Sequence, residues 1–338
     1  QSRSSAASDV YKRQFLPHVR SIIAYNAESK VVETLRMNGV LLSQIAPNGG
    51  IISGSSSVVQ LDAWNWEDAV IRYDQGIHLN WPSPYSRSGY SYYRGPSVIK
   101  KSDKYESNVE EIKNFFDSSK AYLNDPNPNP VSLPYKAMSS VFSGNATVFL
   151  HANNEKQITD GVKFLQDQKI KNIVVVGGTN SLEAGDFLVD NNIKIALEQP
   201  HNLPSMEDED IKSRFRLASQ LINKGVTVAV DATGQMTRMN TRNLPFFAGS
   251  FAAYGVEKEK AVETITLNAA KVLGIEDNYG SIEVGKSATL FISHGDALDM
   301  RTNNLSHAYI DGREVSLETN QTKLWQRYKK KVEEEKKQ

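Results

Sequence analysis

Four short apolar runs between residues 147 and 233, separated by amphipathic stretches, constrain this chain more than any other feature in it. The runs occupy 147–151, 172–178, 194–198 and 226–231, and β-branched residues recur in all of them. Strands buried on both faces of a parallel sheet have this composition. Between the runs, Ile158, Val162 and Leu165 recur at helical spacing over 157–168. Leu182, Phe187 and Leu188 do the same over 181–191. Strand, helix and strand joined by short turns predict a parallel α/β domain. The runs end in residues with chemical capability or backbone freedom: His151, Gly177 with Gly178, Glu198 and Asp231. In a barrel of parallel strands that end of each strand forms the reaction face.

A chain of 338 residues suffices for one large α/β domain, or for one with a smaller satellite. Lys+Arg and Asp+Glu are equal at 39 each, so the formal net charge is zero. That leaves no electrostatic footprint for nucleic acid or an anionic membrane. No apolar run approaches the roughly 20 residues of a membrane span. Cysteine is absent, which excludes disulfides, thiolate metal ligands and cysteine nucleophiles. This fits a cytosolic protein, and also a periplasmic or secreted bacterial one, the location favoured here. A small molecule is the expected substrate.

Residues 1–14 are polar, aperiodic and rich in Ser and Arg. They read as a non-native leader, with native sequence entering near Phe15 and its true start upstream. A helix over 28–38 would bury Val31, Val32 and Leu35 and stop at Gly39. A buried strand is expected over 40–45 and another over 58–62. The Gly/Ser stretch 47–57 reads as a tight connection between them, and its N–H groups could also meet an anion. It lacks P-loop spacing. Three of the four tryptophans and many tyrosines crowd into 63–93, either packing a long loop or lining a ring-binding cleft. A helix over 100–124 would bury Val109, Ile112, Phe115, Phe116 and Tyr122, and Pro126, Pro128 and Pro130 then form an extended connector. A single helix is expected over 257–273, two short strands over 280–292 joined at Gly285-Lys286, and a two-residue hairpin turn at Asp311-Gly312. The division is a leader 1–14, a barrel-like unit 15–274, a small β module 275–318 and a charged terminal helix 319–338.

Thr266, Asn268, Ala270, Lys271, Leu273 and Gly274, followed by Gly280-Ser281-Ile282, Gly285-Lys286 and Ala288, form a specific pattern. It resembles the C-terminal signature of the amidohydrolase superfamily, T-x-N-P-A-(K)-x-L-G followed by G-S-(I/L)-x-x-G-K-x-A-D, with Ala269 in place of the proline and Thr289 in place of the aspartate. With 295–299 and 310–314 the likeness is to the imidazolonepropionase-related branch, which 135–163 and the Gly/Ser stretch also resemble. The resemblance implies an incomplete (β/α)8 TIM-type barrel with a small β-sandwich module near the C-terminus. It implies hydrolysis of an amide or cyclic-amide C–N bond by water activated on a divalent metal, zinc first among them. Such a metal lowers the pKa of its water to about 7.

The family's ligands are an H-x-H pair on the first strand, a lysine or glutamate on the fourth, histidines on the fifth and sixth, and an aspartate on the eighth. Carried over, His151 is the fifth-strand ligand, and Asp231 the eighth-strand ligand and catalytic proton acceptor. His201, after the seventh strand, is a third candidate for metal or substrate. Gly177-Gly178 stands where the sixth-strand histidine is expected. The six histidines are 18, 78, 151, 201, 294 and 307, so H-x-H is absent; the pair is expected upstream of Phe15. Metal binding by this chain is therefore expected to be weak or absent, and turnover low. Structural readings stay open: His151 as a hydrogen-bonded core residue, Asp231 as a strand-end cap, Glu198 as a loop carboxylate, and His18, His78, His294 and His307 as structural or exposed. So does a non-catalytic relative acting as a binding or scaffold domain of a larger or tandem protein, which Gly177-Gly178 favours. A homo-oligomer or a second amidohydrolase-like domain completes the expected partners, and the polar loop 231–241 is a candidate lid.

Overall fold

The structure, a computed structural model, describes residues 14–87, 99–204, 209–232 and 240–336. Its centre is a seven-stranded sheet. After helix α1 (Lys30–Met37) come β1 (Leu42–Ile45), β2 (Ile52–Gln60) and β3 (Val70–Asn80). A small hairpin of β4 (Tyr85–Arg87) and β5 (Ile99–Lys101) and helix α2 (Tyr105–Asn124) follow. Then β6 (Thr147–Asn154), α3 (Glu155–Asp167), β7 (Ile173–Asn180), α4 (Gly185–Asp190), β8 (Lys194–Glu198), α5 (Ser213–Lys224) and β9 (Val228–Asp231) alternate. The strand order is β1-β2-β3-β6-β7-β8-β9. β3, β6, β7, β8 and β9 run parallel, whereas β2 is antiparallel to both neighbours. The sheet curls like part of a barrel, and no pairing joins β9 to β1 among the described residues.

The period-two alternation of the strands sorts their side chains onto two faces. Leu150, Val175, Ile195 and Val228 point outward into the main core, against Ile158, Val162 and Leu165 of α3, Leu188 of α4 and Leu217 and Leu221 of α5. Phe149, Val174, Val176 and Ala229 point the other way, into the concave face. α3 starts where Asn154 leaves β6 and accepts a hydrogen bond from the Gln157 amide, satisfying an orphan donor of the first turn.

The segment expected as one helix over 257–273 is two, α7 (Lys258–Glu263) and α8 (Leu267–Leu273), after α6 (Leu244–Ala253). The break has a local cause. Thr264 and Thr266 hydroxyls donate to the carbonyls of Ala261 and Val262, offering the backbone an alternative to the ladder. It also has a tertiary use: the freed Thr264 carbonyl accepts from the Val230 amide of β9 at 3.0 Å. α8 then turns Val272 onto Phe149, Val174, Val176 and Ala229, and so plugs the concave face.

Several other expectations are corrected. Val31 lies outward on α1, where only Val32 and Leu35 are buried, because the helix packs through a narrow stripe. The Gly/Ser stretch connects two strands only over 47–51; from Ile52 to Gln60 it is a buried strand whose serines find internal partners, Ser56 Oγ donating to the Gly76 carbonyl and accepting from Gln44. Of the two strands expected over 280–292 only β10 (Leu290–Ser293) forms. It pairs with β11 (Leu305–Ile310), which turns at Asp311-Gly312, with φ of 49° and 78°, into β12 (Arg313–Glu314). This is a single three-stranded sheet, packed through Ala308, Ile310 and Val315 onto Leu41. A last helix, α9 (Asn320–Glu335), ends the described chain. No described helix is long and apolar enough to cross a membrane.

Candidate active site

The parallel strands bring their C-terminal ends to one edge. His78 and Asn80 of β3, His151 of β6, Glu198 of β8 and Asp231 of β9 share the alternation that faces the concave side, and in register Asn80 pairs with His151 and Glu198 with Asp231. His78 and His151 meet there, with Nδ1 of the first 2.9 Å from Nε2 of the second. His78 is 3% exposed and stacks on Phe149 at 4.8 Å and 9°. Burial, with the neighbouring His151 adding to it, holds the His78 imidazole well below the usual histidine range. Burial alone brings His151 down to about 4. Both rings are therefore neutral at pH 7 and carry lone pairs. The Nε2 of His78 is buried without a hydrogen-bond partner.

The expectation that His78 is structural or exposed misses this pairing. Its only signal in the sequence is the alternation Gly76-Ile77-His78-Leu79-Asn80, which puts one polar and one apolar side chain on opposite faces of a strand. The partner strand cannot be read from that pattern, because β3 and β6 are separated by more than sixty residues of connection.

Glu198 and Asp231 are neighbours on adjacent strands. Burial raises the Glu198 carboxyl above the usual range; Arg214 opposes this and the charge of Asp231 adds to it. Asn202 Nδ2 donates to Glu198 Oε1 at 2.8 Å, and the Gln199 amide donates to the Asp231 carbonyl at 3.0 Å. His201 sits on the loop after β8. Its Nε2 is 2.7 Å from Ser250 Oγ of α6, and its ring packs edge-on to Phe247 and tilts against Phe215.

A divalent metal is implied by the family resemblance, and the donor set present meets its needs only in part. His151 has found a second imidazole, in the neutral form a metal requires. His201 is engaged by Ser250, and Asp231 stands three strands from His151, about 14 Å along an uncurved sheet. Among the described residues, no three His, Asp or Glu side chains gather as a metal cage. Three protein ligands are the rule for a catalytic zinc, so the described residues offer half a site and no complete one.

Gly177 and Gly178, at the place of the expected sixth-strand histidine, have φ of 100° and 60°. A Cβ would lie 2.6 Å from Asn153 Oδ1 at the first and 2.4 Å from Ile195 Cδ1 at the second. Backbone shape disfavours a side chain at both, and at Gly178 the buried Ile195 adds a packing penalty. Among the described residues of the aromatic segment, Trp81 is buried and donates to Tyr105 Oη, which donates to Asp160 at 2.6 Å, while Trp64 is 90% exposed. Residues 88–98 of that segment and 233–239 of the candidate lid lie outside the described residues. A cavity of about 320 Å³ is lined by Asn80, the register partner of His151, together with Gln14, Gly50, Pro82 and Asn108.

Five parallel strands with helices on the outer face and polar side chains at the C-terminal edge define part of a TIM-like barrel. A profile of the amidohydrolase family matches residues 127–315, more than half of the chain, and the protein belongs to that family. Among solved structures the fold is similar to an amidohydrolase from Thermotoga maritima MSB8, with a TM-score of 0.75 and 19% identity over 90% of this chain and 79% of the other. An adenosine deaminase from Xanthomonas campestris with bound zinc overlaps more loosely, with a TM-score of 0.41 and 18% identity over 65% of this chain and 58% of the other. No curated protein matches the chain.

Proposed function

We propose that this protein is a hydrolase of the imidazolonepropionase-related kind, cleaving an amide or cyclic-amide C–N bond at the C-terminal edge of β3, β6, β8 and β9. The observation that carries this reading is that a pair of imidazoles on β3 and β6 and a pair of carboxylates on β8 and β9 lie on the same C-terminal edge of the parallel sheet of an amidohydrolase-family chain. Water attacks the carbonyl carbon, Asp231 takes the proton it releases, and the C–N bond breaks. Glu198, whose carboxyl burial pushes above the usual range against the opposing charge of Arg214, is the group that returns a proton to the leaving nitrogen. A divalent metal such as zinc, when bound, supplies a water of lowered pKa. His78 and His151 would offer it one free lone pair, since their mutual hydrogen bond takes up the other, and Asp231 and His201 are the further candidates; weak uptake by this chain is expected.

The test is ammonia release or ring opening across a panel of amides, hydantoins and imidazolones, with zinc added and with elemental analysis of the purified chain. D231N and E198Q are each expected to lower kcat by about 10²–10⁴-fold with little change in KM. Turnover of no substrate in the panel, or activity indifferent to D231N, sinks the reading. A second reading, a non-catalytic binding domain, is favoured by Gly177 and Gly178 standing in place of a ligand. It expects ring compounds to bind, as read by calorimetry, and never to be turned over.

A further inference from the structure

The connection that leads into β2 runs beside the C-terminal end of β3. There the Asn80 amide donates to the Ile51 carbonyl at 2.8 Å, and Asn80 Nδ2 donates to the Gly50 carbonyl and to Ser53 Oγ, both at 2.9 Å. Between that connection, β3 and α2 lies the cavity of about 320 Å³. Its other walls are tied down as well. The Gln14 carbonyl accepts from the Ile51 and Ile52 amides at 2.7 and 2.9 Å. Gln157, itself buried, donates through Nε2 to the carbonyls of Trp81 and Pro82 at 3.1 and 3.3 Å. These bonds fix the shape of the cavity in advance, so a ligand has little ordering of the protein to offset.

The lining has a definite chemistry. Three residues with carboxamide side chains, Gln14, Asn80 and Asn108, share it with the apolar Ile51, Pro82 and Ile112, and none of the lining residues carries a charge. Small-molecule sites have this mixture of apolar wall and a few polar groups. A carboxamide both donates and accepts hydrogen bonds, and so matches a ligand group that does both, such as an amide, ureide or lactam. A carboxylate or phosphate would enter with its charge unpaired, which burial penalises heavily. Position joins the cavity to the reaction edge. Asn80 follows His78 on the same face of β3 and lies opposite His151 in register, one strand spacing of about 4.8 Å away.

We infer that this cavity binds the part of the substrate away from the scissile bond, and that this part is uncharged and amide-bearing; this rests on reading the edge of β3 and β6 as the place of reaction. Isothermal titration calorimetry of the full chain compares hydantoin-5-acetamide with hydantoin-5-acetate, two probes alike in shape and different in charge. The acetamide is expected to bind at least about tenfold tighter. N108K, a substitution that a helix tolerates, is expected to tighten the acetate by at least about fivefold, the worth of an ion pair at about 4 Å in water. N108D is expected to weaken the acetate by a similar factor. Equal binding of the two probes, tighter binding of the acetate, binding of neither, or a preference that neither Asn108 variant moves overturns the inference. Tight binding of the acetamide that follows these variants, with no probe turned over, supports the cavity assignment and tells against hydrolysis instead.

Discussion

The imidazole pair is the residue-scale feature with the clearest physical signature. His78 and His151 share a buried contact of 2.9 Å, and burial disfavours the protonated form of each. As the pH falls below 6.5 the unfolded chain takes up protons first, and the folded chain follows only near pH 4. Stability fully present above pH 6.5 is therefore lost progressively toward pH 4. For a histidine lowered from 6.5 to about 4, as His151 is, the loss is about 3 kcal/mol. Urea midpoints measured across this range are expected to fall for the wild-type chain and to fall less for H151Q, which has no proton to gain at that position. Parallel profiles for the two proteins would show that the pair is not what acid attacks.

At the scale of elements, the turn at the end of β7 shows backbone and packing acting together. Gly178 and Gly285 both lie in the left-handed region, with φ of 60° and 95°. A Cβ at Gly285 meets nothing within 4 Å, whereas at Gly178 it meets Ile195 at 2.4 Å. G285A is expected to cost about 1–2 kcal/mol, the backbone penalty alone. G178A is expected to cost about 1–3 kcal/mol more, because the core behind β8 must give way. Denaturant melts of the two variants measure the difference. The same scale explains the break between α7 and α8. Period and propensity run on through Thr264, and only the pairing of its carbonyl with β9 gives the chain a reason to stop there.

Across the whole molecule, Asp62 ties distant parts together. It accepts from Arg36 of α1 at 2.6 Å and from Arg313 of β12, whose guanidinium also reaches the Asp62 carbonyl at 2.8 Å. Beyond the apolar contact on Leu41, this charged link holds the three-stranded sheet to the main one. D62N is expected to cost about 1.5–3 kcal/mol, the worth of hydrogen bonds to a charged partner. Amide exchange over β10 to β12 should rise before exchange in β6 to β8 does. Equal protection in both sheets would mean that the apolar contact alone suffices.

What could be read along the chain is what local chemistry dictates. The four apolar runs became β6 to β9, with Lys194–Glu198 matched to the residue, since burial on both faces leaves a pattern that neighbours in sequence already carry. Asp311-Gly312 turned as expected because both residues tolerate positive φ. The C-terminal signature named the family before any fold was in view. What only the tertiary structure decided is which strand lies beside which: that β3, far upstream, inserts next to β6 and carries His78 to His151, and that Glu198 faces Asp231. A side chain's type is local, but its neighbours across a sheet are set by the free energy of burying the whole core, which no short stretch of sequence contains.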